Sequence, residues 1–257
     1  MNSNNPVELV PTALIQGRVV LVTGASRGIG HATVKRFSDA GWRIITCSRD
    51  AVPPECKRDP NWTHHITADL GDPADLERFV AEAERFLDGA LHALVNNAGV
   101  SPKSPTKERL GTLNGKIEDW QRVFQLNFFV PLILARAFAP ALAQGKGAIV
   151  NITSIAGHHV HPFAGSAYST SKAALSALTR EMAADFAKLG VRVNAVGPGE
   201  IETAMLSPET AVLLPRIPLN RLGVPADVAG TIFFLCSDDA AYVTGTEISV
   251  NGGQHIY

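Results

Sequence analysis

RVVLVTGASRGIG, residues 18–30, runs from a β-branched apolar segment straight into three glycines and then into the helical pattern of HATVKRFSDA. β-Branched side chains suit a buried, pleated strand, whereas Gly24, Gly28 and Gly30 suit a tight turn that a ligand can approach closely. A helix starting at such a turn offers unpaired N–H groups and the positive end of its dipole to a phosphate. The stretch therefore reads as the first strand, phosphate loop and first helix of a dinucleotide-binding α/β sheet, with Ser26, Arg27 and Ile29 as further candidate contacts. Its spacing is GxxxGxG rather than the common GxGxxG, so position in the chain carries the assignment.

The same alternation continues outward from this turn. Apolar or β-branched runs follow at 43–47, 63–67, 91–95, 147–153, 191–196 and 246–250, and helical patterns lie at 28–40, 73–87, 117–143, 167–189 and 225–237. Alternating strands and helices predict βαβ units and a parallel sheet, and near-continuous apolarity predicts strands covered on both faces. The expected fold is a doubly wound α/β sheet of seven parallel strands with helices on both faces, forming one catalytic domain over 16–257 after a flexible extension at 1–15. Loops 101–116 and 197–225, punctuated by Pro and Gly, follow strands at the ends where such sheets bind ligands.

Composition narrows the function. A formal net charge of −1 and the lack of any long Lys/Arg run argue against nucleic acid as a partner. The N-terminus lacks a signal-peptide pattern, and the stretch FFVPLILARAFAPALA is broken by Pro131, Arg136 and Pro140, so neither export nor a membrane span is expected. Cys47, Cys56 and Cys236 are odd in number and form no CxxC pair, which fits a cytoplasmic protein without a disulfide framework.

Tyr168 and Lys172 are four residues apart within the predicted helix 167–189, so a phenol and an ammonium share one face. Free tyrosine has a pKa of about 10, too high for proton exchange near neutrality, and a neighbouring cation lowers it. Ser154 follows the run 147–153 and is placed to reach the same pocket, where a hydroxyl stabilises charge developing on a substrate oxygen.

TGASRGIG, NNAG at 96–99, YSTSK at 168–172 and PGEIET at 198–203, in this order, resemble the short-chain dehydrogenase/reductase family over residues 16–254. The resemblance implies an oxidoreductase moving a hydride between a nicotinamide cofactor and a carbonyl or secondary alcohol, with Tyr168 as acid/base. It also implies that Lys172 holds the ribose and polarises the phenol, that Ser154 bonds the substrate oxygen, and that Asn127 orders a water beside the lysine. By the same resemblance Asp69 and Leu70 contact adenine, Asn97, Ala98 and Gly99 pack along the ribose and nicotinamide, and Pro198, Gly199, Ile201 and Thr203 lie near the nicotinamide amide. Gly197 before the proline and a long loop from Gly99 to Trp120 depart from the family pattern.

The second predicted strand ends in Ser48 and Arg49 rather than in the carboxylate that binds an adenosine ribose diol. Together with Arg27 these donors favour NADP(H) over NAD(H), because a forked guanidinium suits a 2′-phosphate that a carboxylate would repel. A strand two residues longer would instead put Asp50 on the ribose and favour NAD(H). HHVHP at 158–162 lacks flanking carboxylate or cysteine ligands, so no metal is expected there, and the resemblance, which implies that this loop borders the substrate, makes His158 or His159 the candidate for substrate contact. The final strand, in YVTGTEISVNGG, would form an exposed sheet edge, and the resemblance implies its covering in a homotetramer or homodimer. Two rival functions share these residues: a nucleotide-sensing binding protein without turnover, and an epimerase or dehydratase using the same Tyr/Lys pair.

Overall fold

Seven strands, β1 (Val19–Thr23), β2 (Arg43–Ser48), β3 (Trp62–Thr67), β4 (Ala93–Asn96), β5 (Ala148–Ile152), β6 (Arg192–Pro198) and β7 (Glu247–Val250), form one sheet in the order β3-β2-β1-β4-β5-β6-β7. Every pairing is parallel. The computed structural model describes residues 17–51, 59–106, 108–206 and 208–256, so the N-terminal extension expected at 1–15 and Cys56 lie outside the described residues.

Alternate residues of the central strands enter different cores. Val19 and Leu21 pack with Ile45, Leu94, Ile149 and Val193 on one face, against α2 (Pro73–Glu84), α4 (Val130–Ala137) and α6 (Ser166–Phe186). Val20 and Val22 pack with Ile44, Val95 and Val150 on the other, against α1 (Gly28–Asp39) and α7 (Pro225–Cys236). This two-sided burial is why the strand sequences read as continuous apolar runs rather than alternating ones.

The expected helix 117–143 is not one helix. It divides into α3 (Ile117–Phe124), a π-helical turn (Gln125–Phe129), α4 and α5 (Ala139–Gln144). Pro131 and Pro140 each stand in the first turn of the segment they open, where a missing N–H costs nothing. The π turn widens the helix at Asn127 and turns that residue into the protein, where it is wholly buried. The expected loop 197–225 also contains a 3-10 segment, Pro208–Arg216.

Strand order grows in opposite directions from β1 and β4, which opens a crevice at the carboxyl ends of these strands. Among the described residues no helix is long and apolar enough to cross a membrane.

Candidate active site

A cavity of about 600 Å³ occupies that crevice. One end is backbone. Gly24 and Gly28 have φ of 67° and 58°, left-handed values that disfavour any residue with a Cβ, and they shape the loop beneath α1. Arg27 is the N-cap of α1 but makes no side-chain cap, so the first-turn N–H groups face the cavity uncapped. Ser26, Arg27 and Ile29 line the cavity, whereas Gly30 does not. A Cβ on Gly30 would come 2.2 Å from the Gly24 carbonyl oxygen, so its part is to let helix and loop pack closely. Asn97 lines the cavity and donates from Nδ2 to the Thr23 and Gly24 carbonyls at 2.9 Å each, which ties the loop after β4 to the glycine turn.

Ser48, Arg49, Asp50, Asp69 and Leu70 line the adjoining wall. β2 ends at Ser48, whose Oγ donates to the Asp50 carbonyl at 2.6 Å. Arg27 and Arg49 pair with no carboxylate among the described residues, while Asp50 Oδ2 accepts a long 3.5 Å bond from Ser26 Oγ. Asp69 Oδ1 accepts from the Gly71 N–H at 3.0 Å, closing the turn after β3.

At the other end Ser154, Tyr168 and Lys172 meet. Ser154 caps a single 3-10 turn, Ile155–Gly157, by accepting from the Ala156 N–H at 3.2 Å, and its hydroxyl and the Tyr168 phenol line the same cavity. Burial pushes the phenol's pKa up, the Ser154 hydroxyl draws it down, and the negative field of Glu200 pushes it up again. Lys172 is buried, donates from Nζ to the Ile152 carbonyl at 2.5 Å, and stands 5.7 Å from the centre of the Tyr168 ring. Burial pushes its pKa down to about 8, against a favourable field from Glu247. Gly157 sets this spacing: a Cβ there would come 2.9 Å from the Ala173 nitrogen, so only glycine lets the Ser154 turn lie flat on α6.

Asn127 does not line the cavity. Its Oδ1 accepts from the Val100 N–H at 2.9 Å, and its Nδ2 donates to the Val100 carbonyl at 3.0 Å and to Ser171 Oγ at 3.1 Å. A Cβ on Gly99 would come 3.2 Å from Asn127 Oδ1 and 3.5 Å from Lys172 Nζ, so glycine leaves the space between amide and ammonium open. Ala98, Gly99, Pro198, Gly199, Ile201 and Thr203 line the cavity, and Thr203 packs against Gly28.

The histidines of HHVHP separate. His158 lies outside the cavity and bonds Glu247 at 3.1 Å, and His159 is exposed. The cavity wall is His161, not the expected His158 or His159, and its Nε2 lies 2.6 Å from Glu200 Oε1. The carboxylate partners missing from the local sequence thus arrive from 39 and 89 residues away, on β6's following loop and on β7. Glu200 was visible in PGEIET, but nothing local marked its partner. Cys47 and Cys236 are buried and unpaired, with thiol pKa values pushed up to about 12 by burial, which makes both poor nucleophiles.

The family model described as Enoyl-(Acyl carrier protein) reductase matches residues 24–255. Protein FixR of Bradyrhizobium diazoefficiens is 56% identical over 242 residues, which is 93% of this chain and 87% of that protein. The chain belongs to the short-chain dehydrogenase/reductase family. A Brucella ovis oxidoreductase of the short-chain dehydrogenase/reductase family, solved in complex with a partially ordered NAD, is 49% identical with a TM-score of 0.78, covering 91% of this chain and 99% of that one. A 3-oxoacyl-[acyl-carrier protein] reductase from Brucella melitensis is 30% identical with a TM-score of 0.86, covering 98% of each chain.

As a short-chain dehydrogenase/reductase the protein is an NAD(P)-dependent oxidoreductase of CH–OH groups. The site fits a dinucleotide: the glycines of the turn, a helix start without a side-chain cap, and the Arg27 and Arg49 guanidinium groups, which pair with no carboxylate among the described residues, all line one cavity. Among the described residues no group of three or more His, Cys, Asp or Glu side chains is placed to hold a metal ion.

Proposed function

We propose that the protein interconverts a carbonyl and a secondary alcohol with NADP(H), using Tyr168 as the acid/base. The observation that carries this reading is the convergence of Ser154, Tyr168 and the buried Lys172 on one cavity, with the ammonium 5.7 Å from the centre of the phenol ring. A bound nicotinamide ring supplies the hydride for reduction and takes it up for oxidation. The glycine turn and the α1 N-terminus hold its pyrophosphate, and Asp69 and Leu70 border its adenine. Ala98, Gly99, Pro198, Gly199, Ile201 and Thr203 border its nicotinamide half.

Ser154 donates to the substrate oxygen and stabilises the charge that develops there. Tyr168, whose raised pKa keeps the phenol protonated near neutrality, delivers its proton to that oxygen in reduction. Lys172 bonds the ribose and favours the phenolate once the proton has left. Asn127 orders a water in the gap at Gly99, through which Lys172 recovers a proton. Arg27, Ser48 and Arg49 favour NADP(H), because they present donors to a 2′-phosphate while the adjacent carboxylate, Asp50, is turned toward Ser26.

Steady-state assays on a panel of ketones, aldehydes, sugars and polyols with both cofactors test this. Tyr168→Phe is expected to lower kcat by about 10²–10⁴-fold with cofactor binding intact. Full turnover by that variant refutes the acid/base assignment, and a preference for NAD(H) refutes the cofactor assignment. Cofactor binding with no turnover anywhere on the panel favours a nucleotide sensor instead.

A homo-oligomer follows from the sheet edge: β7 pairs only with β6 among the described strands and its side chains remain partly exposed. Light scattering that gives the mass of a single chain refutes it.

A further inference from the structure

Glu200 is a carboxylate with one oxygen engaged and one free. Its side chain is 7% exposed, it lines the cavity, and no lysine or arginine pairs with it among the described residues. Oε1 is held by His161 Nε2, and no donor among the described residues reaches Oε2.

The tautomer of His161 follows from its other nitrogen. Nδ1 accepts the N–H groups of Phe163 at 3.2 Å and Ala164 at 3.1 Å, so it carries a lone pair and the proton sits on Nε2. With Nδ1 facing two N–H donors, it is Nε2–H that points at Glu200 Oε1. The turn that carries His161 is itself fixed, because Lys103 donates to the Phe163 carbonyl and Arg109 Nε to the Ala164 carbonyl at 2.8 Å. The other charged groups lining this half of the cavity are Lys103, Asp119, Arg122 and Lys172.

A carboxylate oxygen that opens onto a cavity, on a side chain otherwise held in place by the protein, can accept from a ligand's donor in place of solvent. Glu200 lines the same cavity as Ser154 and Tyr168, and its negative field reaches the phenol. Resting on the oxidoreductase reading above, we propose that Glu200, oriented by His161, anchors a hydrogen-bond donor on the substrate beside the reacting carbon. The substrate class is thus a ketone bearing a neighbouring hydroxyl or ammonium, or the matching vicinal diol or amino alcohol, rather than a plain or anionic acyl chain.

The test compares hydroxyacetone, aminoacetone, butan-2-one and pyruvate on the wild type and on Glu200→Gln. In the variant His161 Nε2–H retains the amide oxygen, which turns the amide NH₂ toward the substrate and reverses the polarity of the anchor. The wild type is expected to favour hydroxyacetone or aminoacetone over butan-2-one by about 10- to 100-fold in kcat/KM, and Glu200→Gln is expected to bring that ratio toward one and raise pyruvate relative to both. A larger effect with aminoacetone identifies an ammonium as the ligand, and a larger effect with hydroxyacetone a hydroxyl. An unchanged ratio in a variant that binds cofactor normally overturns the proposal. Should Glu200→Gln fail to fold, Glu200→Asp withdraws the carboxylate by one methylene and must lower the same ratio.

A wild type that binds cofactor but turns over nothing would refute the oxidoreductase reading without touching the anchor. Melting temperatures of the cofactor-loaded protein decide the anchor in that case. Hydroxyacetone or aminoacetone must raise them above the butan-2-one value in the wild type but not in Glu200→Gln; equal shifts in both refute it.

Discussion

The wall in front of Tyr168 and the wall behind Lys172 each carry a carboxylate paired with a histidine, and the two pairs differ in how completely the carboxylate is used. Glu247, behind, accepts from Thr153 Oγ1 at 2.5 Å, from Ser176 Oγ and from the half-exposed His158. The Glu200 carboxylate, in front, accepts from His161 alone among the described residues. A carboxylate saturated by protein donors is framework, whereas one with an idle oxygen on a cavity is a receptor. Their fields also act on different partners: Glu200 favours the protonated phenol and Glu247 the protonated lysine. The acid/base pair therefore stands between two negative groups, and both hold protons on it.

The strongest way to break this arrangement is Lys172→Met. Turnover is expected to fall by at least about 10²-fold, as for loss of a group that acts on the proton in flight. Stability of the cofactor-free protein should move the opposite way. Lys172 titrates near 8 when folded and near the ordinary 10.5 when unfolded, so its buried charge penalises the fold fully below about pH 8 and progressively less up to about 10.5. The methionine variant should be more stable at pH 7 by on the order of 2 kcal/mol, with the gain vanishing toward pH 10, as read by chemical denaturation.

A smaller effect is expected from Glu247→Gln, which removes the field that keeps Lys172 charged. Reductive kcat should decline as pH rises through about 8 in the wild type, where the ammonium is lost, and the decline should begin at lower pH in the variant. Matching pH profiles would mean that Glu247 has no hold on the lysine. Smallest of all should be His158→Ala, which removes a half-exposed partner that Glu247 can do without. Its cost in stability should stay under about 1 kcal/mol, with the pH profile unmoved.

The two walls also mark where the sequence stops being readable. Strands, glycine turn and the Tyr168/Lys172 spacing are local patterns: two-sided burial makes the strands apolar throughout, and four residues of helix bring phenol and ammonium to one face. The π turn at Asn127 has no such signature, because QLNFF fits an ordinary helix equally well and only tertiary contacts with Val100 and Ser171 select the wider turn. Pairing of His161 with Glu200 and of His158 with Glu247 depends on which loops the sheet order brings together, so HHVHP offered three histidines without indicating which one enters the cavity. Gly30 shows the same limit: its place in the glycine turn was plain, but its contact with a carbonyl rather than a ligand was not.

Gly157 contributes no functional group, yet the turn bearing Ser154 can rest on the helix bearing Tyr168 and Lys172 only because that position is bare. In genetic terms, an inactivating allele need not alter any residue that handles a proton. A methyl group added at Gly157 would leave every reactive side chain in place and separate them, and such a lesion would be invisible to a search confined to side-chain chemistry.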